Sequence, residues 1–212
     1  MMALVDTFWR IADLGGPVVL CLIGVSIAAL TTVLFKLWHF ATAGVGRHRR
    51  LQEAVRAWDR GDQAEAVAVL EKSRSYLAPV IFLAFRAGPV DLERLRAEAE
   101  IRFARLESGF RFLDSVAQLA PLLGLFGTVL GMIEAFQAMQ AAGANVDPSI
   151  LAGGIWVALL TTAVGLVVAM PTALVLSWFE GRMDAERVTA ERAIAAVLQP
   201  LNAAPDGVAR VA

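Results

Sequence analysis

The 212-residue sequence contains very few of the side chains on which enzymatic and metal chemistry usually depends. With one cysteine and two histidines, it can form neither an internal disulfide nor a zinc site of four cysteine and histidine ligands. It also has no G-x-S-x-G element, no Walker loop and no H-E-x-x-H segment. We therefore expect a protein that is not an enzyme and that has no cofactor and no metal site.

Charged residues are also scarce. They make up 18% of the chain, whereas 58% of the residues are hydrophobic and the mean hydropathy is +0.62. The 19 basic and 20 acidic residues nearly balance, so no excess of positive charge indicates a nucleic-acid partner. This composition is typical of a membrane protein.

Three charge-free stretches are long enough to cross a membrane as helices, because a hydrocarbon core of roughly 30 Å needs about 20 helical residues. The first is interpreted as a retained span, since Lys36 rather than a small-residue cleavage site follows it. Cys21, inside this stretch, is expected to be a small buried apolar residue. The sequence therefore predicts an all-α membrane protein with three transmembrane helices. The charge-free stretches are residues 14–35, 115–133 and 148–179.

Basic residues are distributed unevenly around these stretches. Lys36, Arg47, Arg49 and Arg50 follow the first one, whereas the connection at 143–147 has no basic residue. Because basic loops stay in the cytoplasm, we expect the N-terminus outside and the C-terminus inside. The predicted order is a periplasmic N-terminus (1–13), the first span (14–39), a cytoplasmic helical region (40–113), the second span (114–141), a periplasmic hairpin (142–148), the third span (149–179) and a cytoplasmic C-terminal helix and tail (180–212).

The cytoplasmic region has local signals for helix ends. Gly61 is a plausible helix stop, and Asp62 with Glu65 forms a capping-box pattern, so we predict a short helical hairpin here. A single long helix is expected to start near Asp91 and to continue into the second span. At the other end of the hairpin, Asp147 is a suitable N-cap with Pro148 at the first helical position of the third helix. That helix is expected to continue to about Leu198, before a frayed end around Pro200, Pro205 and Gly207.

Small and hydroxyl-bearing residues recur at helical spacing on one side of the second and third spans. Such faces either pack closely against neighbouring helices or line a narrow passage, and the sequence alone does not choose between the two. A threonine there either bonds a carbonyl of its own helix or contributes to a polar passage. The second span presents Gly124, Thr128, Gly131, Ala135 and Ala138, and the third presents Gly154, Ala158, Thr161, Gly165, Ala169 and Thr172, with Thr162 on the flank.

Few titratable residues lie near the spans. Glu134 is the one carboxylate near a span interior, where such residues are functional candidates. It lies beside the small-residue face and toward the outer end of its helix, so a rim or subunit contact and a place on an ion path both stay open. His39 and His48 are interpreted as interfacial or solvated residues rather than ligands or bases.

Two segments resemble a known family. The sequences GLFGTVLGMIEAF at 124–136 and ALLTTAVGLVVAMP at 158–171 are similar to the signature segments of the MotA/TolQ/ExbB proton-channel family. The three-span plan with its N-terminus outside resembles the ExbB and TolQ branch. The likeness extends over the whole plan, including the GDQAEAVAVLEKS hairpin at 61–73.

The resemblance implies a subunit of an inner-membrane ring, pentameric in ExbB, that surrounds transmembrane helices of a single-span ExbD or TolR partner. Such a motor uses proton motive force to act on TonB or TolA. The family's pore threonines fall on Thr128 and Thr162. Many relatives have a glutamate five residues before the second of these threonines, where this chain has Val157. The predicted proton-pathway and pore-lining residues are Thr128, Thr162, Thr161, Gly124, Gly131, Ala158 and Gly165, with Glu134 as a possible outer-rim carboxylate.

The leading hypothesis is an ExbB-like subunit that energises TonB-dependent outer-membrane transport. A TolQ-like subunit for envelope integrity and cell division is the alternative, and a passive membrane scaffold is a third hypothesis from another class. A secondary transporter would show internal repeats and broken helices, and neither is visible in the sequence. The MotA branch has four spans, which disfavours a flagellar stator.

Overall fold

The computed structural model describes residues 2–86, 92–142 and 148–200, and their side chains from residue 16 onward except at 142, 148 and 150. Every regular element within these ranges is a helix, in agreement with the all-α prediction. The helices are α1 (Met2–Ala43), α2 (Arg49–Asp59), α3 (Gln63–Glu71), α4 (Ala78–Arg86), α5 (Leu92–Glu107), α6 (Phe110–Ala142) and α7 (Pro148–Leu198).

Three of the described helices are long and apolar enough to cross a membrane, as the sequence predicts. The candidate segments are Gly16–Ala43, Phe110–Ala141 and Leu151–Leu198. The third has 48 residues, which at about 1.5 Å per residue is more than twice the length that the hydrocarbon core requires. The charge-free part of α7 ends before Glu180, so the charged side chains of this helix are confined to its last 19 residues, 180–198.

Helix α1 is interrupted near its N-terminal end. Gly16 has φ 62° and ψ −166°, so two helical pieces meet there. Glycine tolerates a positive φ, and the proline that follows, Pro17, disfavours a helical conformation at the residue before it. The interruption lies inside the first charge-free stretch, residues 14–35.

The predicted single helix from Asp91 into the second span is wrong, because α5 ends at Glu107 and α6 begins at Phe110. Gly109 lies between them with φ 90°, in a region that glycine adopts without strain. The Lys36 Nζ donates to the Leu106 carbonyl oxygen, 3.0 Å away, at the end of α5. A carbonyl freed by the helix break therefore has a partner outside its own helix. Asp91 itself lies outside the described residues.

The helical hairpin of α2 and α3 is confirmed. Gly61 has φ 85° just after α2, and Asp62 accepts a hydrogen bond from the Glu65 backbone N–H at 3.0 Å. The capping box is one-sided, because the Glu65 carboxylate accepts from Arg60 instead. Helix α7 begins at Pro148 and ends at Leu198, as expected, whereas the predicted cap Asp147 and the tail residues 201–212 lie outside the described residues.

The chain divides into two compact units. The first, residues 1–34 and 109–178, contains most of the apolar helical length and leaves large apolar side chains exposed, among them Leu159 (64%) and Leu174 (74%). Apolar exposure on this scale is expected where a protein faces lipid or other subunits.

The second unit, residues 35–108 and 179–212, has an ordinary buried core. Phe179 of α7 is fully buried, and the Phe40 ring contacts it edge-on with 5.2 Å between ring centroids. Trp58 stacks on Phe85 at 4.2 Å and donates its indole N–H to the Val197 carbonyl. This unit therefore contains aromatic packing of the kind that stabilises water-soluble domains.

Candidate functional site

Helices α6 and α7 approach each other so closely that their small residues leave no room for larger side chains. A Cβ added at Gly124 would lie 2.9 Å from the Thr161 carbonyl oxygen. A Cβ added at Gly131 would lie 3.2 Å from the Cβ of Ala158. The structure therefore shows close packing within one chain for these residues, which was one of the two alternatives that the sequence left open.

The same contact continues towards both ends of the helices. A Cβ at Gly165 would lie 2.6 Å from the Ala120 carbonyl oxygen, and one at Gly154 would clash with the Cβ of Ala135. Residues of increasing number on α6 contact residues of decreasing number on α7, so the two helices are antiparallel. We name this contact the α6–α7 seam and define it by Ala120, Gly124, Gly127, Gly131 and Ala135 on α6 and by Gly154, Ala158, Thr161 and Gly165 on α7.

Sequence reasoning missed two members of the α6–α7 seam, Ala120 and Gly127. A Cβ at Gly127 would lie 2.7 Å from the Thr161 Oγ1, which makes it one of the tightest positions. The signal was present, because small residues on α6 are separated by four, three, four and four positions. That spacing is typical of a helix that contacts one partner along its length.

The three candidate threonines have different environments. Thr161 is 2% exposed, and its Oγ1 lies 2.7 Å from the Ala158 carbonyl oxygen and 3.1 Å from that of Gly124. The Thr128 hydroxyl donates to the Leu125 carbonyl of its own helix at 2.6 Å. The Thr162 Oγ1 is buried and has no hydrogen-bond partner among the described residues. Because buried hydroxyls are normally bonded, Thr162 has unused hydrogen-bonding capacity inside the span.

Glu134 is exposed on α6, whereas the next residue, Ala135, is buried against α7. The carboxylate therefore lies off the α6–α7 seam, as its helical position predicts. Val157, which the resemblance places where many relatives have a glutamate, is half-buried. The described parts of α6 and α7 consequently place no carboxylate on the seam, and the choice between a rim contact and an ion path for Glu134 stays open.

Two sequence interpretations are wrong. Cys21 is a free and exposed residue rather than a buried one, so it lies on the outward side of α1. His48 is 5% exposed and has bonded neighbours, so it is not solvated. His39 is half-buried, and its Nδ1 has no partner among the described residues. Among all residues that the structure describes, no group of three or more His, Cys, Asp or Glu side chains could hold a metal ion.

His48 lies in a buried polar cluster of the second unit. Its Nδ1 is 2.9 Å from the Ser75 Oγ and its Nε2 is 2.5 Å from the Glu186 Oε2. The Tyr76 hydroxyl donates to the same Glu186 oxygen at 2.7 Å, and Arg182 lies 3.6 Å from the other. Although the order serine, histidine, glutamate resembles a hydrolase triad, Ser75 is only 4% exposed and no substrate could reach it. The cluster therefore cross-links elements of this unit.

Tyr76, the only tyrosine, keeps its proton in this cluster. Burial, together with the hydrogen bond to Glu186, raises the pKa of the Tyr76 hydroxyl well above its usual value. The hydroxyl therefore stays a neutral donor to the Glu186 carboxylate at every physiological pH. The sequence offered no signal for this cluster, because its members are up to 138 residues apart.

A family model described as the MotA/TolQ/ExbB proton channel family matches residues 86–192. The chain belongs to this family. The matched residues include α6 and the part of α7 up to residue 192, and hence the whole α6–α7 seam and the threonines Thr128, Thr161 and Thr162. The resemblance read from the two signature segments is therefore confirmed.

Similar proteins carry the names of the ExbB and TolQ branch. The chain is 33% identical over 184 residues to the biopolymer transport protein ExbB-like 1 of Synechocystis. The aligned region covers 81% of this chain and 68% of the relative. It is 31% identical over 159 residues to the biopolymer transport protein exbB1 of Vibrio cholerae, with coverages of 73% and 69%. It is also 39% identical over 80 residues to the Tol-Pal system protein TolQ of Haemophilus influenzae, with coverages of 38% and 35%.

Proposed function

We propose that the chain is an ExbB-like subunit of a proton-motive-force-driven motor in the bacterial inner membrane. With an ExbD-like single-span partner, the motor energises TonB-dependent outer-membrane transport. The subunit acts in a homo-oligomeric ring, a pentamer, with its N-terminus in the periplasm and its C-terminus in the cytoplasm. It contributes to a proton channel and is not an enzyme. Family membership and the long matches to ExbB-named relatives support this proposal.

The observation that carries the channel role is the difference between Thr161 and Thr162. The Thr161 hydroxyl is used inside the α6–α7 seam, whereas the buried Thr162 hydroxyl has no partner among the described residues. In this proposal Thr162 is the hydroxyl that bonds a partner's side chain or a water in the proton path, once its side chain rotates out of the buried position that it has in the single chain. Since Val157 stands where relatives have glutamate, the proton-carrying carboxylate comes from the partner's transmembrane helix in this proposal.

A TolQ-like role in envelope integrity and cell division is the second candidate. The observation in its favour is that TolQ proteins match at higher identity, 39% and 37%, although over only 80 and 84 residues. The longer ExbB matches cover 81% and 73% of the chain. The two candidates share the same channel and differ in the energised protein, TonB-like or TolA-like.

The test is reconstitution of the chain in liposomes with the ExbD-like or TolR-like protein of its own genome. Proton flux driven by a membrane potential is compared for the wild type, Thr162→Val and Thr161→Val, with assembly checked by co-purification. We expect Thr162→Val to reduce flux at least tenfold with the complex intact, because valine keeps the volume and removes the hydroxyl. Normal flux in Thr162→Val would contradict the role of this hydroxyl in the proton path, and absence of flux from the wild-type complex would contradict the channel role, as expected of a passive scaffold.

A further inference from the structure

An open cleft of about 570 Å³ lies in the second unit, shortly after the end of α1. Four of its six lining residues are arginines, one is a serine and none is a carboxylate. We name it the arginine cleft and define it by Gly46, Arg47, Arg49, Arg50, Ser73 and Arg74. A concave surface with four guanidinium groups and a hydroxyl is suited to a phosphate-bearing anion.

The arginines come from two separate parts of the chain. Gly44 and Gly46, with φ 73° and 80°, form the turn that links α1 to α2. A Cβ at Gly44 would lie 3.1 Å from the Arg74 carbonyl oxygen, so the turn packs against the backbone that carries Arg74. Arg50 donates to the Lys72 carbonyl oxygen at 2.5 Å, which ties the start of α2 to the same segment. The fold therefore holds Arg47 and Arg74 on one surface although they are far apart in sequence.

The internal bonds of these side chains leave most of their donors available. Arg49 pairs with Glu53 through Nε at 3.1 Å, and Arg50 uses Nη1 for the Lys72 carbonyl. Each guanidinium has five N–H donors in a planar fork that matches two oxygens of a phosphate. Grouping four such cations without a lining carboxylate is unfavourable by itself, and a bound anion removes that repulsion.

The position of the cleft along the chain indicates where that anion comes from. The apolar span ends at Ala43, and the exposed indole of Trp38 (64%) is the kind of side chain found at the headgroup level. Arg47 follows the end of α1 by four residues, a reach of at most about 14 Å at about 3.6 Å per residue, and Trp38 lies five helical residues, about 7.5 Å, before that end. We propose that the arginine cleft binds the phosphate of an anionic phospholipid headgroup, such as phosphatidylglycerol, in the leaflet next to the end of α1. This inference does not depend on the proposed function.

Lipid retention by the full chain in detergent, measured by native mass spectrometry with added phosphatidylglycerol or phosphatidylcholine, tests the proposal. We expect retention of phosphatidylglycerol over phosphatidylcholine. One basic residue near an anionic surface strengthens binding about fivefold, so Arg74→Gln should lower lipid retention about fivefold. The double variant, Arg47→Gln with Arg74→Gln, should lower retention further. Arg74→Lys should be intermediate, since it keeps the charge and loses the fork. The matched control is Arg94→Gln, an exposed arginine of α5, which should retain lipid like the wild type.

Three results would overturn the proposal. Equal retention by the wild type and the double variant would show that the arginine cleft is not the site, and equal retention of both lipids would show no preference for the anionic headgroup. If inorganic phosphate raised the unfolding temperature of the wild type as much as phosphatidylglycerol does, the arginine cleft would be a site for a soluble anion. The substituted arginines are exposed, so each variant should unfold without lipid at the wild-type temperature, and only variants that meet this criterion are compared.

Discussion

The side chain of Thr161 on α7 reaches the backbone of Gly124 on α6, with 3.1 Å between Oγ1 and the glycine carbonyl oxygen. Only a glycine at 124 allows this approach, because a Cβ there would lie 2.9 Å from the Thr161 carbonyl oxygen. The contact therefore needs both the hydroxyl of Thr161 and the absence of a side chain at Gly124, a combination that is common where transmembrane helices pack. The Thr161 hydroxyl, which also lies 2.7 Å from the Ala158 carbonyl oxygen of its own helix, therefore contacts α6, whereas the hydroxyl of its neighbour Thr162 has no such contact.

We therefore predict opposite phenotypes for two adjacent threonines. Thr161→Val should lower the free energy of unfolding by about 1 kcal/mol, because it removes a buried hydrogen bond across the α6–α7 seam. Thr162→Val should leave stability unchanged or raise it, because its buried hydroxyl has no partner among the described residues and valine removes the cost of burying it. Thermal unfolding in detergent measures both. A Thr162→Val protein that is less stable than Thr161→Val would show that the assignment of the two hydroxyls is reversed.

Two neighbouring glycines of α7 provide a matched pair for the α6–α7 seam. A Cβ at Gly154 would clash with Ala135, whereas a Cβ at Gly153 would meet nothing within 4 Å. Gly154→Ala should destabilise the chain by about 1–3 kcal/mol, as overpacking does. Gly153→Ala should be neutral or stabilising, because alanine favours a helix over glycine.

A second substitution checks that the loss comes from this contact. Adding Ala135→Gly to Gly154→Ala removes the clashing methyl, and the next α6 atom, the Ala135 Cα, lies 3.3 Å from the new Cβ. The double variant should therefore recover part of the lost unfolding temperature in detergent. Absence of any recovery would mean that Gly154 acts elsewhere, for instance between subunits.

The sequence predicted the helical faces but not their partners. Periodicity shows that Gly124 and Gly131 share one face of α6 and that Ala158 and Gly165 share one face of α7. The same pattern is compatible with an intramolecular contact and with a pore. Only the structure shows that these residues pack within the chain. Periodicity also missed the break at Gly109, because the charged and apolar residues around it continue the helical pattern. A glycine in such a run is tolerated in many helices, and a tertiary bond decides whether the helix stops there.

Long-range polar contacts were the other unpredictable feature. Lys36 reads in the sequence as a charge that marks the cytoplasmic side, whereas the structure buries it to 1% exposure with bonds to the Leu106 carbonyl and the Ser108 hydroxyl. His48 and Glu186 meet across 138 residues. Such pairs depend on which helices become neighbours, and a single sequence contains no local signal for that.

Tyr76→Phe tests the buried cluster of the second unit and its dependence on pH. The change removes the hydrogen bond to the Glu186 carboxylate, and bonds to charged groups contribute about 1.5–3 kcal/mol. Because folding raises the pKa of the Tyr76 hydroxyl, its contribution is fully present below the unfolded pKa of about 10 and is lost as the pH rises above that value. The stability difference between wild type and Tyr76→Phe should thus be constant from pH 6 to 9 and shrink above about pH 10.

Chemical unfolding of the full chain at several pH values measures this difference. Tyr76 lies outside the spans, so the readout should follow the second unit, for example by limited proteolysis at Arg60 and Gly61, which are exposed between α2 and α3. Glu191→Gln, an exposed carboxylate of α7, is the control and should change stability little at any pH. A difference that grows above pH 10 would show that the hydroxyl ionises more easily in the folded state and would contradict the assigned cluster.

We further predict that this chain does not conduct protons by itself. Directed proton transfer needs a group that takes up and releases a proton, and a threonine hydroxyl can only pass protons along hydrogen bonds with water. Between residues 124 and 138, and again between 150 and 177, the only ordinary titratable side chain is Glu134. That carboxylate is exposed and lies off the α6–α7 seam. On the third helix this chain has Val157 at the position where the resemblance implies a glutamate in many relatives.

Liposomes that contain the purified chain, alone or with its single-span partner, give the measurement, with internal pH followed after a potassium-driven potential is applied. We expect flux at the level of empty liposomes from the lone chain, and flux with the partner that is lost when the carboxylate in the partner's transmembrane helix is replaced by its amide. Glu134→Gln in the complex decides between its two open roles, because a rim carboxylate leaves flux intact whereas one on the ion path abolishes it. Flux from the lone chain that persists in Glu134→Gln would refute the prediction, since no carboxylate would then remain in either segment to carry the proton.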